Sequence, residues 1–235
     1  MFAMTIQEPV ENKFQKTIRS FVRREGRMTL AQKQALDKFW PKWGLELSNS
    51  LLNFQEVFGR AAPITLEIGF GDGQSLLKMA QANPDRDFIG IEVYRTGVAK
   101  LFMAMEAAGV SNIRVFCTDA LEVLNNAIPD HSLSKLQLFF PDPWPKARHH
   151  KRRIVQSDFA TLVALKLKQG GVFHMATDWQ NYAEHMMMVM EQHTQFQNTV
   201  SKGQFAPRPE ERPLTKFEKR GHRLGHGTWD LIYNT

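Results

Sequence analysis

A proline-rich loop in the middle of this 235-residue sequence combines residue types that can do chemistry. It reads PDPWPK over residues 141–146, so a carboxylate, Asp142, and a large ring, Trp144, stand between prolines that fix the backbone. An apolar strand is predicted just before it, and open α/β sheets place their chemistry at strand carboxyl ends. A carboxylate beside a flat ring suits a planar, hydrogen-bonding substrate such as a nucleobase. A plain turn with a solvated tail is the simpler alternative.

Three further acids stand at or near the ends of the preceding predicted strands. Glu92 can accept hydrogen bonds from both hydroxyls of a ribose, and Asp119 can accept from an adenine amino group. Asp119 is equally suited to cap the helix that follows it. Glu67 lies inside a predicted buried strand and needs a partner, which a cationic ligand would supply. With Asp142, these acids suit a cofactor that has ribose, adenine and positive charge, such as S-adenosylmethionine.

Glycines follow the first of these strands in the pattern G-x-G-x-G, which begins at Gly69 and Gly71. Glycine permits positive φ and a close approach of the backbone to a ligand. Gln74 occupies the sixth place, where a dinucleotide-binding turn has glycine, and no Gly-Lys-Ser/Thr sequence follows. The turn therefore favours a nucleoside over a di- or triphosphate. It argues against the rival interpretation as a nicotinamide-dependent oxidoreductase.

Positive charge is concentrated in three segments of the chain. The net charge is +6, yet residues 13–27, 146–153 and 202–223 carry +5, +5 and +4, which leaves −8 on the remainder. An acidic body with basic segments is typical of a protein that binds a polyanion. Any one of the segments alone is equally consistent with a solvated surface.

Strand and helix patterns alternate from residue 63 onward, which predicts a parallel sheet covered by helices on both faces. Two closing strands are predicted near residues 196–200 and 228–233. We expect residues 1–50 to form a basic N-terminal extension and residues 51–235 to form the main domain. In the extension, Thr29 and Gln32 predict a capping box that opens a helix ending before Pro41.

Several classes of protein are disfavoured by composition. The one cysteine, Cys117, excludes an internal disulfide and a cysteine-based metal cluster. His222 and His226 lie among glycines, so their spacing does not indicate a helical metal pair. No signal-peptide pattern and no membrane-length apolar run are present. We therefore expect a cytoplasmic protein without metal or membrane partner; the sequence does not specify an oligomeric state.

The chain resembles the bacterial tRNA (guanine-N7)-methyltransferases from residue 19 almost to its end. The motifs that carry the resemblance are RSFVRREGR at residues 19–27, LEIGFG at 66–71, FPDPWPK at 140–146, ATDW at 176–179 and TKFE at 215–218. LEIGFG resembles the general cofactor motif of Rossmann-like methyltransferases, and the last three motifs are more particular to this family. PDPW is also similar to the Asp/Asn-Pro-Pro-aromatic motif of amino-methylating enzymes.

The resemblance implies an α/β fold: a three-layer Rossmann-like methyltransferase sandwich with a seven-stranded, mostly parallel sheet and one antiparallel strand. It also implies S-adenosylmethionine as cofactor, tRNA as partner, and 7-methylguanosine in the tRNA variable loop as product. Asp142 matches the proposed catalytic residue. The implied cofactor-binding positions are Glu67, Gly69, Gly71, Glu92, Asp119 and Asp142. The implied substrate-binding positions are Lys146, Asp178, Thr215, Lys216, Phe217 and Glu218.

The chemistry of guanine N7 is consistent with these residues. N7 has an in-plane lone pair and no proton, so its methylation needs no general base, and catalysis is mostly positioning. We assign Asp142 to binding and to stabilising the positive charge of the product. Trp144 stacks on the base or packs beneath the loop. We assign Arg148, Lys151, Arg152 and Arg153, with Lys146, to tRNA phosphates. The remaining alternatives are a methyltransferase acting on another RNA or a non-RNA acceptor, and a non-catalytic RNA-binding protein.

Overall fold

The computed structural model describes residues 20–21, 26–48, 50–215, 218 and 227–235. Within these residues one sheet has the strand order β1-β4-β3-β2-β5-β6-β8-β7. Its strands are β1 (Gly44–Leu45), β2 (Ile64–Ile68), β3 (Asp87–Ile91), β4 (Ile113–Phe116), β5 (Leu133–Phe139), β6 (Leu167–Thr177), β7 (Gln197–Asn198) and β8 (Trp229–Asn234). All strand pairs of this sheet are parallel except the two that β8 forms, with β6 and with β7. The predicted architecture is therefore confirmed, with eight strands in place of seven; the two-residue β1, which no sequence pattern predicts, pairs with β4.

Helices cover both faces of the sheet, as the alternating pattern predicts. They are α1 (Leu30–Trp43), α2 (Phe54–Phe58), α3 (Gln74–Ala82), α4 (Arg95–Ala108), α5 (Ala120–Asn126), α6 (Ser157–Lys166) and α7 (Gln180–Glu191), with a short 3-10 helix at Ala147–Arg152. Alternate strand residues divide the core into two clusters: Leu66 and Leu136 pack with α5, α6 and α7, whereas Phe88 and Val115 pack with α1, α3 and α4. The sheet is thus the middle of three layers.

Helix α1 begins at the predicted capping box, because Thr29 Oγ1 accepts from Gln32 N at 3.2 Å and Gln32 Oε1 accepts from Thr29 N at 3.0 Å. The prediction that it ends before Pro41 is wrong, since the helix continues to Trp43. Proline has a helical φ, and the carbonyl that loses its donor belongs to the exposed Asp37, where water is available. Trp43 is buried, so its packing extends the helix by the last turn.

The parallel register brings the carboxyl ends of β2, β3, β4, β5 and β6 to one edge of the sheet. The residues that follow these strands include Gly69, Glu92, Phe140 and Asp178. In the described ranges no helix has both the length and the apolar character that crossing a membrane requires. Nor do His, Cys, Asp and Glu side chains gather there in a group of three or more that can hold a metal ion.

Candidate active site

Two neighbouring cavities open at this edge of the sheet. The larger, of about 350 Å³, is lined by Glu92, Asp119 and Asp142 and by the apolar side chains Ile91 and Leu138. The smaller, of about 210 Å³, is lined by Glu67, Ser75, Lys78 and Thr215, among others. Both cavities are bounded by Gly69, Gly71, Phe139 and Phe140. The structure therefore brings all six residues of the predicted cofactor-binding set to one divided cleft.

The glycine turn between the cavities is held by its backbone. Gly69 and Gly71 have φ values of 73° and 62°, a region that disfavours side chains. Gly69 N donates to Ile91 O at 2.7 Å, which fastens the turn to β3. A Cβ at Gly97 of α4 would lie 2.1 Å from Gly71 O, so only glycine lets α4 pack this closely. Gly97 was not among the predicted site residues, although a glycine inside a helix is a signal of close packing.

Glu92 is buried and organises the backbone around the larger cavity. Its Oε1 accepts from Val93 N at 2.7 Å and Tyr94 N at 3.1 Å, and its Oε2 accepts from Gly71 N at 2.8 Å. Burial raises the pKa of Glu92, while these backbone donors oppose the rise. The hydrogen bond from Gly71 leaves Oε2 with acceptor capacity for a ligand hydroxyl.

Glu67 is the acid whose environment is most unusual. It is 2% exposed, and no described residue gives its Oε2 a hydrogen-bond partner. Burial raises the pKa of Glu67 to about 8, and the negative charge of Glu92 adds to the effect. Ser75 Oγ, which also faces the smaller cavity, has no partner within the described part of the chain either. A buried carboxylate of this kind is complementary to a cationic group.

Asp119 has the capping role that was its alternative interpretation. Its Oδ1 accepts from Leu121 N at 2.9 Å and begins α5. The residue also lines the larger cavity, so capping fixes the carboxylate at the cavity wall. The two roles are compatible because a carboxylate has more acceptor sites than one cap uses.

Trp144 packs within the proline-rich loop rather than standing free above it. Its Nε1 donates to Ser20 O at 3.0 Å, the Arg152 guanidinium lies 4.9 Å from its ring centroid, and the His149 ring meets it edge-on. Trp144 and Phe140 have φ values of 45° and 53°, which are rare for side chains of this size. Asp142, between them, is exposed and borders the larger cavity.

The basic residues after the loop are not equivalent. Lys146, Arg148 and Lys151 are exposed, so their side chains are accessible to the phosphates of a bound tRNA. Arg153 is 3% exposed: its Nε donates to Pro143 O at 2.9 Å and its Nη2 to Asn181 Oδ1 at 2.7 Å. The predicted phosphate contact does not fit this placement, because the guanidinium is buried under the loop and its hydrogen bonds stabilise the loop.

The predicted substrate-binding set is partly at the cleft. Asp178 follows β6 at the same edge and is half-buried, and Thr215 lines the smaller cavity. Glu218 is fully buried, and its carboxylate pairs with Arg212 at 2.7 Å. Thr215 Oγ1 accepts from Glu218 N at 3.1 Å, so Glu218 supports Thr215 instead of facing the cavity. Lys216 and Phe217 lie outside the described residues, as do His222 and His226.

The fold and a family match together define a methyltransferase of the Rossmann-like class. Residues 61–231 match a family model described as a putative methyltransferase. The solved 16S rRNA methyltransferase KamB has a TM-score of 0.58 at 16% identity, over 81% of this chain and 94% of its own. The aminoglycoside resistance methyltransferase NpmB1 has a TM-score of 0.52 at 13% identity, over 81% and 95%. At these identities the likeness shows the fold, which confirms the predicted class. Enzymes of this class take their methyl group from S-adenosylmethionine.

Curated relatives define the family within that class. The tRNA (guanine-N(7)-)-methyltransferase of Alcanivorax borkumensis is 56% identical over 97% of this chain and 95% of its own length. The enzyme of the same name from Ectopseudomonas mendocina is 59% identical over 93% of this chain and 92% of its own. The chain belongs to the tRNA (guanine-N(7)-)-methyltransferase family, which confirms the resemblance found in the sequence.

Proposed function

We propose that this protein transfers the methyl group of S-adenosylmethionine to N7 of a guanine in the variable loop of tRNA. The observation that carries the proposal is the 56% identity, over nearly the whole of both chains, to an enzyme named for that reaction. The cleft geometry supports it by supplying a divided cavity with a separate environment for each part of such a cofactor. No observation favours a different acceptor.

The residues present fit the cofactor. The larger cavity offers apolar walls for a planar base at Ile91 and Leu138, with Glu92 and Asp119 as acceptors at its rim. The smaller cavity offers Glu67 Oε2, which has no hydrogen-bond partner among the described residues and is complementary to an ammonium group. When bound, the cofactor supplies an electrophilic methyl group on a positively charged sulfur. Gly69 and Gly71, between the cavities, have no side chains, so the backbone there can approach the cofactor closely.

Asp142 is the residue that we propose for catalysis. It borders the larger cavity, on a loop in which Arg153 donates to Pro143 O and Trp144 donates to Ser20 O. The attacking N7 uses its own lone pair, so Asp142 removes no proton from it. Its carboxylate accepts from the polar edge of the guanine and stabilises the positive charge that the ring acquires. A fixed carboxylate serves this purpose because it needs no reorganisation during the reaction.

The exposed cations after the loop are proposed to contact the tRNA backbone. Lys146, Arg148 and Lys151 are exposed on the short 3-10 helix or its cap, directly beyond the loop that bears Asp142. Lys and Arg bind phosphate by charge, and the bound ions that they displace make affinity fall with salt. We propose that the basic segment of the predicted extension, residues 13–27, adds to this surface, whereas α1 and β1, from the later part of that extension, pack into the domain. Because the proposed substrate is tRNA, we assign the protein to the cytoplasm.

Methyl transfer from labelled cofactor to unmodified tRNA transcripts, followed by chain cleavage at 7-methylguanosine, tests the proposal. We expect cleavage at one guanine of the variable loop and none in a matched transcript with adenine there. Asp142→Asn should lower kcat by roughly a hundredfold, the loss of one strong electrostatic contact in a transition state. Label incorporation without such cleavage would refute the N7 assignment, and near-wild-type turnover of the variant would refute the role of Asp142.

A further inference from the structure

Arg212 occupies a position that no sequence motif identifies. Its guanidinium is fully buried and makes two forked ion pairs. Toward β8, Nε donates to Asp230 Oδ1 at 2.7 Å and Nη2 to Asp230 Oδ2 at 2.9 Å. Toward the other side, Nη1 donates to Glu218 Oε2 at 2.8 Å and Nη2 to Glu218 Oε1 at 2.7 Å. The planar fork therefore fixes both carboxylates at once.

The two forks join parts of the chain that meet at the cleft. Asp230 pairs in register with Ala176 near the end of β6, so one fork is anchored in the sheet. Glu218 accepts from Thr215 N at 3.4 Å while Thr215 accepts from Glu218 N, so the other fork fixes the position of Thr215 at the smaller cavity. The guanidinium also lies 5.8 Å and 5.7 Å from the rings of Phe139 and Phe140, where the Asp142 loop begins.

The charges of this network are not explained by stability alone. One buried guanidinium faces two buried carboxylates, and His174 Nε2 bonds to Asp230 Oδ1 at 2.8 Å. Burial lowers the pKa of His174, although Asp230 opposes the effect. A neutral His174 leaves the group with one excess negative charge. Apolar residues of similar volume often stabilise a protein as well as a buried ion-pair network does. The two forked ion pairs, in contrast, fix the orientation of both carboxylates.

We infer that Arg212 is a positioning residue for methyl transfer. It acts through Thr215 on the wall of the smaller cavity and through Phe140 on the start of the loop that carries Asp142. The inference rests on the proposed function, because it assigns the task of Arg212 within that same site. Lysine keeps the charge of arginine but not its fork, so Arg212→Lys separates orientation from electrostatics.

The test compares Arg212→Lys with Arg60→Lys, a control at the opposite edge of the sheet whose arginine is partly exposed. Arg60 donates from Nε and Nη2 to the buried Asp87, so its replacement also removes a fork to a buried acid. Both variants are assayed below their melting temperatures for kcat and KM with tRNA, and for cofactor affinity by calorimetry. We expect Arg212→Lys to lower kcat/KM for tRNA by roughly tenfold or more and, because Thr215 lines the cavity assigned to the cofactor, to weaken cofactor binding as well. Arg60→Lys should keep wild-type kinetics.

A double-mutant cycle with Thr215→Ala shows whether Arg212 acts through Thr215. The effect of Thr215→Ala on kcat/KM should be much smaller in the Arg212→Lys background than in the wild type. Glu218→Gln replaces Arg212→Lys in the cycle if the latter does not fold, because it retains one acceptor for the guanidinium. Additive effects, wild-type kinetics for Arg212→Lys, or an equal loss for Arg60→Lys would overturn the inference. Wild-type protein that methylates no tRNA would overturn the proposed function, and the inference with it.

Discussion

Replacing Glu67 by glutamine should change how the stability of this protein depends on pH. The carboxyl group is buried and its Oε2 lacks a partner among the described residues, and burial raises its pKa from 4.5 to about 8. Between pH 4.5 and about pH 8, the Glu67 carboxyl group is protonated in the folded protein but ionised in the unfolded chain. The stabilisation is fully present below pH 4.5 and is lost as the pH rises, by about 1.4 kcal/mol per pH unit, until about pH 8. Glutamine has no such proton, so Glu67→Gln removes this slope.

Urea unfolding at several pH values, without cofactor, measures the effect. The difference in unfolding free energy between Glu67→Gln and wild type should grow in favour of the variant by about 1.4 kcal/mol per pH unit from about pH 5 to pH 8. Other titrating groups are common to both proteins and cancel in the difference. Glu106→Gln, at an exposed position of α4, controls for the loss of one negative charge. Parallel curves for Glu67→Gln and wild type would show that Glu67 is already ionised in the fold, and would refute the reasoning.

Glu67→Gln should also change how cofactor affinity depends on pH. A bound cation favours the ionised carboxylate, so wild-type affinity for S-adenosylmethionine should rise with pH through the interval in which Glu67 titrates. Calorimetry in buffers of different ionisation enthalpy should detect proton release on binding. Glu67→Gln should bind the cofactor more weakly at about pH 8 and should lose the release that Glu67 contributes. Equal proton release by the two proteins would place the titrating group elsewhere.

Further predictions follow from the turn and the basic run. Gly97→Ala places a methyl group 2.1 Å from Gly71 O, so cofactor affinity should fall by roughly tenfold or more, as measured by calorimetry. Arg148→Ala with Lys151→Ala should reduce the slope of log affinity for tRNA against log salt by about 0.7–0.9 for each phosphate that is no longer neutralised. Arg153→Ala should leave that slope unchanged and instead lower the free energy of unfolding by about 2–4 kcal/mol, because it removes partly buried hydrogen bonds to Pro143 and α7. A reversed pattern would contradict the placement of Arg153.

Local patterns made the sheet and the cleft predictable. The alternation of strands and helices, the glycine turn and the acids at strand ends depend on residues close together in the chain. Parallel topology then brings these ends to one edge without further information. The strand β1 escaped prediction because two residues that pair with a distant strand have no pattern of their own. Helix α1 passes Pro41 for a similar reason, since the burial of Trp43 depends on contacts with α4.

Roles that depend on distant partners were not readable from the sequence. Arg153 looks the same as its basic neighbours in the chain, and only the position of Tyr182 and Asn181 shows that it lies beneath the loop. The resemblance implies a substrate-binding role for the motif that contains Glu218, yet the Glu218 carboxylate pairs with Arg212. Arg212 itself stands in a segment rich in proline and charge, where no periodic pattern distinguishes a buried side chain from an exposed one.

The left-handed backbone at Phe140 and Trp144 has a consequence for attempts to make this protein more heat-resistant. A side chain in that region costs about 1 kcal/mol or more relative to glycine. If only backbone conformational energy is considered, glycine at either position would therefore stabilise the protein. It would also delete the ring that lies against Arg212 and the indole that donates to Ser20. A mutant library that is screened only for a higher melting temperature should therefore not vary Phe140 and Trp144. Glycine at these positions would relieve backbone strain but would remove contacts that shape the active site.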